Sequence, residues 1–138
     1  MIEKRATILV VDDERINIQI LNNALGDQYN ILAAMTGERA IKVASESLPC
    51  LILLDIVLPD ISGHDVCRAL KSNELTQHIP IIFITAQSGA DDELIGLELG
   101  ATDYFRKPFV LPLVKARIRN QIELVQKTAE LERLAWID

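Results

Sequence analysis

The sequence has little of what marks secreted, membrane-spanning or nucleic-acid-binding proteins. It contains two cysteines, Cys50 and Cys67, which share no CxxC or Cys/His spacing, so we interpret both as buried reduced thiols. No apolar run approaches the roughly 20 residues that span a bilayer. The start, residues 1–5, lacks the apolar segment of a signal peptide. The sequence therefore predicts a cytoplasmic protein with no membrane insertion.

An excess of basic charge is also missing. Lys and Arg number 14 against 20 Asp and Glu, which gives a formal net charge of −6. Duplex binding depends on neutralisation of phosphates by basic side chains, so no direct contact with nucleic acid is expected. With 138 residues, 49% of them hydrophobic, the chain is long and apolar enough to form one domain around a continuous core.

The chain does contain five short apolar runs separated by helix-patterned segments. The runs cover residues 7–11, 29–33, 51–55, 81–85 and 103–106. The helical segments cover residues 15–25, 37–47, 64–72 and 91–99, and a last one begins at residue 112. This alternation predicts an α/β fold, a doubly wound parallel sheet with helices on both faces.

Residue types within the helical segments predict their ends and their buried faces. Thr36 is expected to cap the second helix, and Asp91 and Asp92 to lie in the first turn of the fourth. Val66, Ala69 and Leu70 are expected to face inward from the third helix. The two histidines, His64 and His78, have no partner spacing, so we expect both to be exposed.

Polar groups stand at the carboxyl ends of four of the predicted strands: Asp12 and Asp13, Asp55, Thr85 and Lys107. In doubly wound sheets that edge is where ligands bind. Three carboxylates in one cleft repel each other unless a hard cation such as Mg²⁺ lies between them. Lys107 adds positive charge and Thr85 a hydroxyl donor, which suits phosphoryl transfer to a carboxylate. Asp55 is the expected nucleophile, and the Asp12-Asp13 pair is better suited to holding the metal.

These residues resemble the receiver domains of two-component response regulators. The resemblance covers residue 6 to about residue 120. It rests on the segments ILVVDDE (8–14), LILLDIVLPDISG (51–63), IIFITA (81–86) and GATDYFRKPF (100–109). It implies a flavodoxin-like strand order 2-1-3-4-5, with residues 1–120 as the receiver domain.

The family resemblance also implies roles for the residues at the strand ends. Asp55 would be the phosphoacceptor, and Lys107 would pair with a phosphoryl oxygen. Mg²⁺ would be held by Asp13 and Asp55, by Asp12 through water, and by the Val57 carbonyl. The chemistry is self-catalysed, so the chain is interpreted as a regulatory phosphoacceptor and not as an enzyme. Its expected phosphodonor is a histidine kinase or a phosphotransfer protein.

A conformational switch follows from the same resemblance. Thr85 would move toward the phosphate and Tyr104 would turn inward, which would alter the face formed by the fourth helix, fifth strand and fifth helix. We expect phosphorylation to favour a homodimer through this face and the tail. The Lys107-Pro108 bond resembles the family's cis peptide.

Two positions bear on how long a phosphoryl group would survive. Val57 and Gln87 lie two residues beyond Asp55 and Thr85, where the family tunes access of the hydrolytic water. An apolar Val57 cannot orient that water, so the sequence predicts slow self-dephosphorylation.

The tail is the second informative feature, because residues 113–138 contain no glycine or proline. One helical stripe follows Val114, Ile118, Ile122, Val125 and Ala129, and a second follows Leu124, Thr128, Leu131 and Ala135. A helix this long should extend beyond the sheet, and a parallel two-helix coil is one way to cover it. We therefore interpret residues 121–138 as a helical linker toward an output domain.

The last residues of the chain suggest which output that is. The ending LERLAWID, residues 131–138, resembles the LxxLAxxD junction that precedes GGDEF-type diguanylate cyclase domains. Linkers before cyclic-di-GMP phosphodiesterases look similar.

Three alternatives to a phosphorylated receiver have to be compared. A flavodoxin-type FMN binder would need a glycine- and hydroxyl-rich loop after the first strand, where this chain has Asp12-Asp13-Glu14. An aspartate-dependent phosphatase would need a second acid at Val57. A receiver-like scaffold that only dimerises would not need the intact set of site residues. Singly, the residues have plainer interpretations: Asp12 and Asp13 as helix-capping acids, Tyr104 as a half-buried strand aromatic.

Overall fold

The computed structural model describes residues 5–86 and 90–135, and the side chains in these ranges except those of residues 90–92. Strands and helices alternate along the chain. The strands are β1 (Thr7–Val11), β2 (Asn30–Ala34), β3 (Leu51–Asp55), β4 (Ile81–Thr85) and β5 (Asp103–Arg106). The helices are α1 (Arg15–Leu25), α2 (Gly37–Ser47), α3 (Gly63–Lys71), α4 (Ala90–Glu98) and α5 (Leu111–Ala135).

All five strands form one parallel sheet in the order β2-β1-β3-β4-β5. The predicted fold class and strand order are therefore confirmed. Every residue of β3 and of β4 is buried, as required for central strands covered by helices on both faces. Successive side chains alternate between the faces, so Leu9 and Val11 of β1 lie in one core, and Ile8 and Val10 in the other.

Each face of the sheet is covered by a different set of helices. The first core receives Ala40, Val43 and Ala44 from α2 and Val66, Cys67 and Leu70 from α3. The second receives Leu21 and Leu25 from α1 and Val114, Ile118 and Ile122 from α5. The order of the strands reverses between β2-β1 and β1-β3, so the switch point lies beside β1 and β3.

Most of the predicted boundaries agree with the structure. β2 lies one residue later than predicted, whereas α3, α4 and the start of α5 lie one residue earlier. The Thr36 cap is confirmed, because its hydroxyl accepts a hydrogen bond from the Arg39 N–H at 3.1 Å. The cis Lys107-Pro108 bond is also present.

Three side-chain placements were predicted wrongly or incompletely. Ala69 is exposed and not inward, because the first core reaches α3 through Val66, Cys67 and Leu70. His64 is half-buried in α3, where its ring packs edge-on against Phe83 with centroids 5.3 Å apart. Cys50 was expected to be buried but is half-buried. His78 is exposed and Cys67 is buried, both as predicted.

Helix α5 extends beyond the domain, as its length predicted. It has 25 residues, or about 37 Å at 1.5 Å per residue, and its last buried residue is Ile122. Val125 is half-buried, and every residue of α5 after it is exposed. Among the described residues, no helix combines the length and apolar character needed to cross a membrane.

Candidate phosphoryl and metal site

The parallel sheet brings the predicted site residues to one edge. Asp12 and Asp13 follow β1, Asp55 and Thr85 end β3 and β4, and Lys107 follows β5. The register aligns Val11 with Leu54, Asp55 with Ile84, and Thr85 with Arg106, so the strand ends are level with one another. Segments as far apart in sequence as those of Asp12 and Lys107 therefore meet at the switch point.

Three carboxylates converge at this edge. One oxygen from each of Asp12, Asp13 and Asp55 lies within 4.8 Å of the others. Asp12 is fully buried, Asp55 is 4% exposed and Asp13 is open to solvent. Oxygen ligands from a few carboxylates, with room for water on the open side, are what Mg²⁺ prefers. This set of donors therefore fits a hard divalent cation.

Lys107 joins two of these carboxylates from the end of β5. Its Nζ lies 2.8 Å from Asp12 Oδ2 and 2.8 Å from Asp55 Oδ2, and its side chain is only 12% exposed. The backbone helps to place it, because the Lys107 N–H donates to the Thr85 carbonyl at 2.9 Å. Lys107 is therefore a half-buried counter-charge and not a solvated surface lysine.

Burial and charge act in opposite directions on these groups. Burial raises the pKa of Asp55, and the nearby charge of Asp12 raises it further, while the hydrogen bond and charge of Lys107 lower it. Burial lowers the pKa of Lys107, but the hydrogen bonds and charges of Asp12 and Asp55 outweigh this, so its pKa is raised overall. A carboxylate that is costly to keep charged thus lies beside a firmly protonated ammonium.

The second oxygen of Asp55 is held by the loop that follows it. The Val57 N–H donates to Asp55 Oδ1 at 3.2 Å, and the Val57 side chain is 52% exposed beside the site. Because Lys107 donates to Oδ2, both oxygens of the Asp55 carboxylate accept a hydrogen bond. The metal-ligand role of the Val57 carbonyl stays a prediction.

The capping interpretation of Asp12 and Asp13 is not supported. The N-cap residue of α1 is Glu14, which makes no side-chain cap hydrogen bond. Asp12 instead accepts the Glu14 N–H on Oδ1 at 2.9 Å and directs Oδ2 toward Lys107. Both oxygens of this buried carboxylate are therefore used in forming the site.

Thr85 and Tyr104, the two residues of the predicted switch, lie on the adjacent strands β4 and β5. Thr85 is fully buried at the end of β4, next to the β3 strand that carries Asp55. Tyr104 is half-buried on β5, with its ring 6.2 Å from the Phe83 ring. Their movement on phosphorylation remains a prediction, and Gln87 and the side chains of Asp91 and Asp92 lie outside the described residues.

Sequence reasoning missed how the loop after Asp55 is anchored. Asp60 accepts the Gly37 N–H at 2.7 Å and the Glu38 N–H at 2.9 Å, and these two bonds lower its pKa. Asp60 thus caps α2, although it follows β3 in the chain. The segment PDISG (59–63) is part of the family motif, but its sequence does not indicate that Asp60 contacts α2.

Gly63 is a second residue that the sequence did not assign. Its N–H donates to the Ile56 carbonyl at 2.7 Å, and a Cβ at this position would collide with the carbonyl oxygen of Asp55. The start of α3 can therefore approach the backbone of Asp55 only because residue 63 has no side chain.

We expect Gly63→Ala to reduce the free energy of unfolding by about 2 kcal/mol, because the added methyl group would have to displace backbone at residues 55–56. Urea denaturation measures this change. Ser47→Ala, at an exposed position of α2, is the matched control and should change stability by less than about 0.5 kcal/mol. Equal stabilities for the two variants would contradict the close approach.

Comparison with known proteins agrees with the predicted fold and family. The model of the response regulator receiver domain matches residues 8–119. A protein from Vibrio cholerae serotype O1, named "Probable cyclic di-GMP phosphodiesterase", is 42% identical over 119 residues, or 86% of this chain and 27% of its own length. The "Response regulator PleD" of Caulobacter vibrioides is 42% identical over 83% of this chain and 26% of its own length. The chain thus spans about a quarter of the length of these two relatives.

Solved structures give the same result for the fold. The signal receiver domain of a Vibrio parahaemolyticus protein assigned as a LuxO repressor superposes with a TM-score of 0.85 at 28% identity. That alignment covers 98% of this chain and 100% of the other.

Proposed function

Because the chain belongs to the response regulator receiver family, in which the domain is a regulatory phosphoacceptor of two-component signalling, we propose that Asp55 accepts a phosphoryl group with the help of Mg²⁺. The observation that carries this proposal is the ammonium of Lys107 bridging Asp12 and Asp55, with Asp13 alongside. The donor would be a phosphohistidine of a histidine kinase or phosphotransfer protein in the cytoplasm.

In the proposed reaction, an oxygen of Asp55 attacks phosphorus, a P–O bond forms, and the P–N bond to the donor imidazole breaks. Asp12, Asp13, Asp55 and the Val57 carbonyl would hold Mg²⁺, which supplies positive charge for the equatorial oxygens when bound. Lys107 would transfer its hydrogen bond from Asp55 to a phosphoryl oxygen, while its ion pair with Asp12 keeps the ammonium in place. The Thr85 hydroxyl would donate to another oxygen.

The test is the intact mass of the protein after incubation with Mg²⁺ and acetyl phosphate, from which acetate would leave instead of imidazole. We expect a gain of one phosphoryl group, and no gain when EDTA removes the metal. If no donor gave an adduct, the alternative of a non-phosphorylated, receiver-like dimerisation scaffold would replace this proposal.

The phosphoryl group should be long-lived, because the apolar Val57 side chain beside Asp55 cannot orient a hydrolytic water. We expect Val57→Asn to speed the loss of the phosphoryl group about tenfold, through positioning of that water. The apolar control Val57→Leu should decay as slowly as the wild type. The rate of dephosphorylation of all three proteins is measured from the loss of the phosphorylated mass with time. Equal rates for Val57→Asn and the wild type would contradict the prediction.

The readout of phosphorylation would be a homodimer formed through the face of α4, β5 and α5 and through the tail, controlled by Thr85 and Tyr104. This face has large apolar side chains to cover, since Leu94, Ile95 and Leu97 of α4 are 56%, 38% and 50% exposed. Light scattering at low micromolar concentration should show the mass doubling after full phosphorylation. An unchanged mass would contradict it.

We further propose that residues 1–120 form the receiver and 121–138 a linker to an output that acts on cyclic di-GMP. The name of the Vibrio cholerae relative supports this class of output, and the LxxLAxxD segment favours synthesis. Of that segment, Leu131, Leu134 and Ala135 lie in α5, while residues 136–138 lie outside the described residues.

A further inference from the structure

The outer half of α5 carries apolar side chains that the domain does not cover. Leu124, Leu131 and Leu134 are 57%, 67% and 53% exposed, although α5 continues without a break through them. Covering leucines this exposed with a second surface would remove them from water and lower the free energy.

The spacing of this surface is that of a two-stranded coil. Gln121, Leu124, Thr128, Leu131 and Ala135 are three and four residues apart in alternation, so they occupy successive a and d positions of a heptad repeat. We call these five residues the seam. Both leucines of the seam fall at d, and Gln121, Thr128 and Ala135 fall at a.

Charges beside the seam distinguish a parallel from an antiparallel pair. Lys127 occupies a g position and Glu132 the following e position, which face each other across a parallel pair of helices. In an antiparallel pair, g faces g and e faces e, so lysine would meet lysine and glutamate would meet glutamate. Within the described ranges, neither Lys127 nor Glu132 forms an ion pair in its own chain, so both are available to a partner.

The domain leaves space along this side of the helix. A groove of about 520 Å³ lies between the extension of α5 and the amino ends of β4 and β5. Leu124 and Thr128 of the seam line it, with Pro80 and Thr102 opposite. A helix packed on the seam would therefore also cover this groove.

We propose that the outer half of α5 pairs with the same segment of a second copy as a parallel two-stranded coil, with Leu124 and Leu131 facing their counterparts and Lys127 facing Glu132. This pairing specifies one contact of the proposed homodimer, and its role in signalling rests on the proposed function. The coil itself needs no phosphoryl group, so it can be tested separately from the chemistry at Asp55.

The coil is short, and its stability should be modest. It spans two heptads with polar Gln121 and Thr128 at a positions, which fix register at a cost in stability. We therefore expect reversible pairing that a covalent trap can capture, and which the face of α4, β5 and α5 can reinforce.

Disulfide trapping tests orientation and register together. Leu131→Cys places a thiol at a d position, where two copies of a parallel coil meet, whereas the matched control Arg133→Cys lies at the outward f position. Under mild oxidation with diamide, without phosphodonor, we expect Leu131→Cys to cross-link at least about tenfold faster than Arg133→Cys. The wild type, with its buried Cys67 and half-buried Cys50, gives the background rate. Equal rates for the two variants would overturn the proposal.

Charge reversal tests the pairing of Lys127 with Glu132. In the Leu131→Cys background, Lys127→Glu and Glu132→Lys should each slow cross-linking several-fold, and the double reversal should restore it. Arg133→Glu makes the same change in net charge as Lys127→Glu and should leave the rate unchanged. Failure of the double reversal to restore the rate would overturn the register. Cross-linking of Leu131→Cys no faster than the wild-type background would overturn the proposal and favour another protein or an output domain as the occupant of the seam.

The intact mass of the same samples after acetyl phosphate treatment separates this inference from the proposed function. Loss of the cross-link with normal phosphorylation would refute the coil alone. Normal cross-linking without phosphorylation would refute the chemistry at Asp55 alone.

Discussion

Replacing Asp55 with asparagine is expected to abolish phosphorylation completely. The carboxylate is the only group at the end of β3 that could attack phosphorus, and both of its oxygens are already positioned, by Lys107 at 2.8 Å and by the Val57 N–H at 3.2 Å. An amide of the same shape keeps a hydrogen-bond acceptor there but is no nucleophile. The intact mass after incubation with Mg²⁺ and acetyl phosphate should therefore stay at that of the unmodified variant.

The loss in Asp55→Asn should be chemical and not a loss of fold. Burial and the charge of Asp12 both raise the pKa of Asp55. Removing the charge of Asp55 therefore removes the cost of burying it and its repulsion from Asp12, while Lys107 keeps its ion pair with Asp12. The melting temperature should stay within a few degrees of the wild type. Asp27→Asn is the matched control, because Asp27 is exposed in the turn before β2, at the opposite edge of the sheet. An adduct on Asp55→Asn would locate the phosphoacceptor elsewhere.

Replacing Lys107 with alanine is expected to have the largest effect on stability. It would leave Asp12, which is fully buried, and Asp55, which is 4% exposed, without their counter-charge. Removing one partner of a buried ion pair typically costs 3–5 kcal/mol, because the charge left behind is neither solvated nor paired. We expect the free energy of unfolding, measured by urea denaturation without divalent cations, to fall by about 3 kcal/mol.

Millimolar Mg²⁺ should restore part of this loss, and should raise the melting temperature of Lys107→Ala more than that of the wild type. A cation bound to the native carboxylates would replace the missing charge and stabilise the folded state by mass action. Lys115→Ala, at an exposed position of α5, is the control, and both its free energy of unfolding and its response to Mg²⁺ should match those of the wild type. A small stability loss with no response to Mg²⁺ would mean that Lys107 does not neutralise the acidic cluster. Phosphorylation should also slow about 100-fold, the typical cost of one lost electrostatic contact.

The sequence alone predicted which residues form the elements and where the polar groups lie. Runs such as Leu51–Asp55 and Ile81–Thr85 are apolar on both faces, a property only of covered central strands, so their bounds and parallel arrangement could be read directly. The site followed from the same pattern, since every strand of a parallel sheet ends at the same edge. Asp12, Asp55, Thr85 and Lys107 were thus placed together before any distance was known.

Side-chain burial was less predictable, because a helical stripe shows only which residues share a face and not how far the neighbouring element reaches. Ile16 and Ala69 fit the periodicity of α1 and α3 but are exposed, since the cores end before reaching them. His64 had no partner in the sequence and is nonetheless half-buried, because Phe83 of β4 lies beneath it.

The contacts that shape the site were decided only by the tertiary structure. One ammonium bridges Asp12 and Asp55, Asp60 caps a helix that precedes it in the chain, and Gly63 lets α3 approach the carbonyl of Asp55. Local patterns act over three or four residues and so determine strands, helices and their ends. Which atoms meet between segments as distant in sequence as Asp12 and Lys107 depends on the packing of helices on the sheet and on the path of each loop, and neither is encoded in a local pattern.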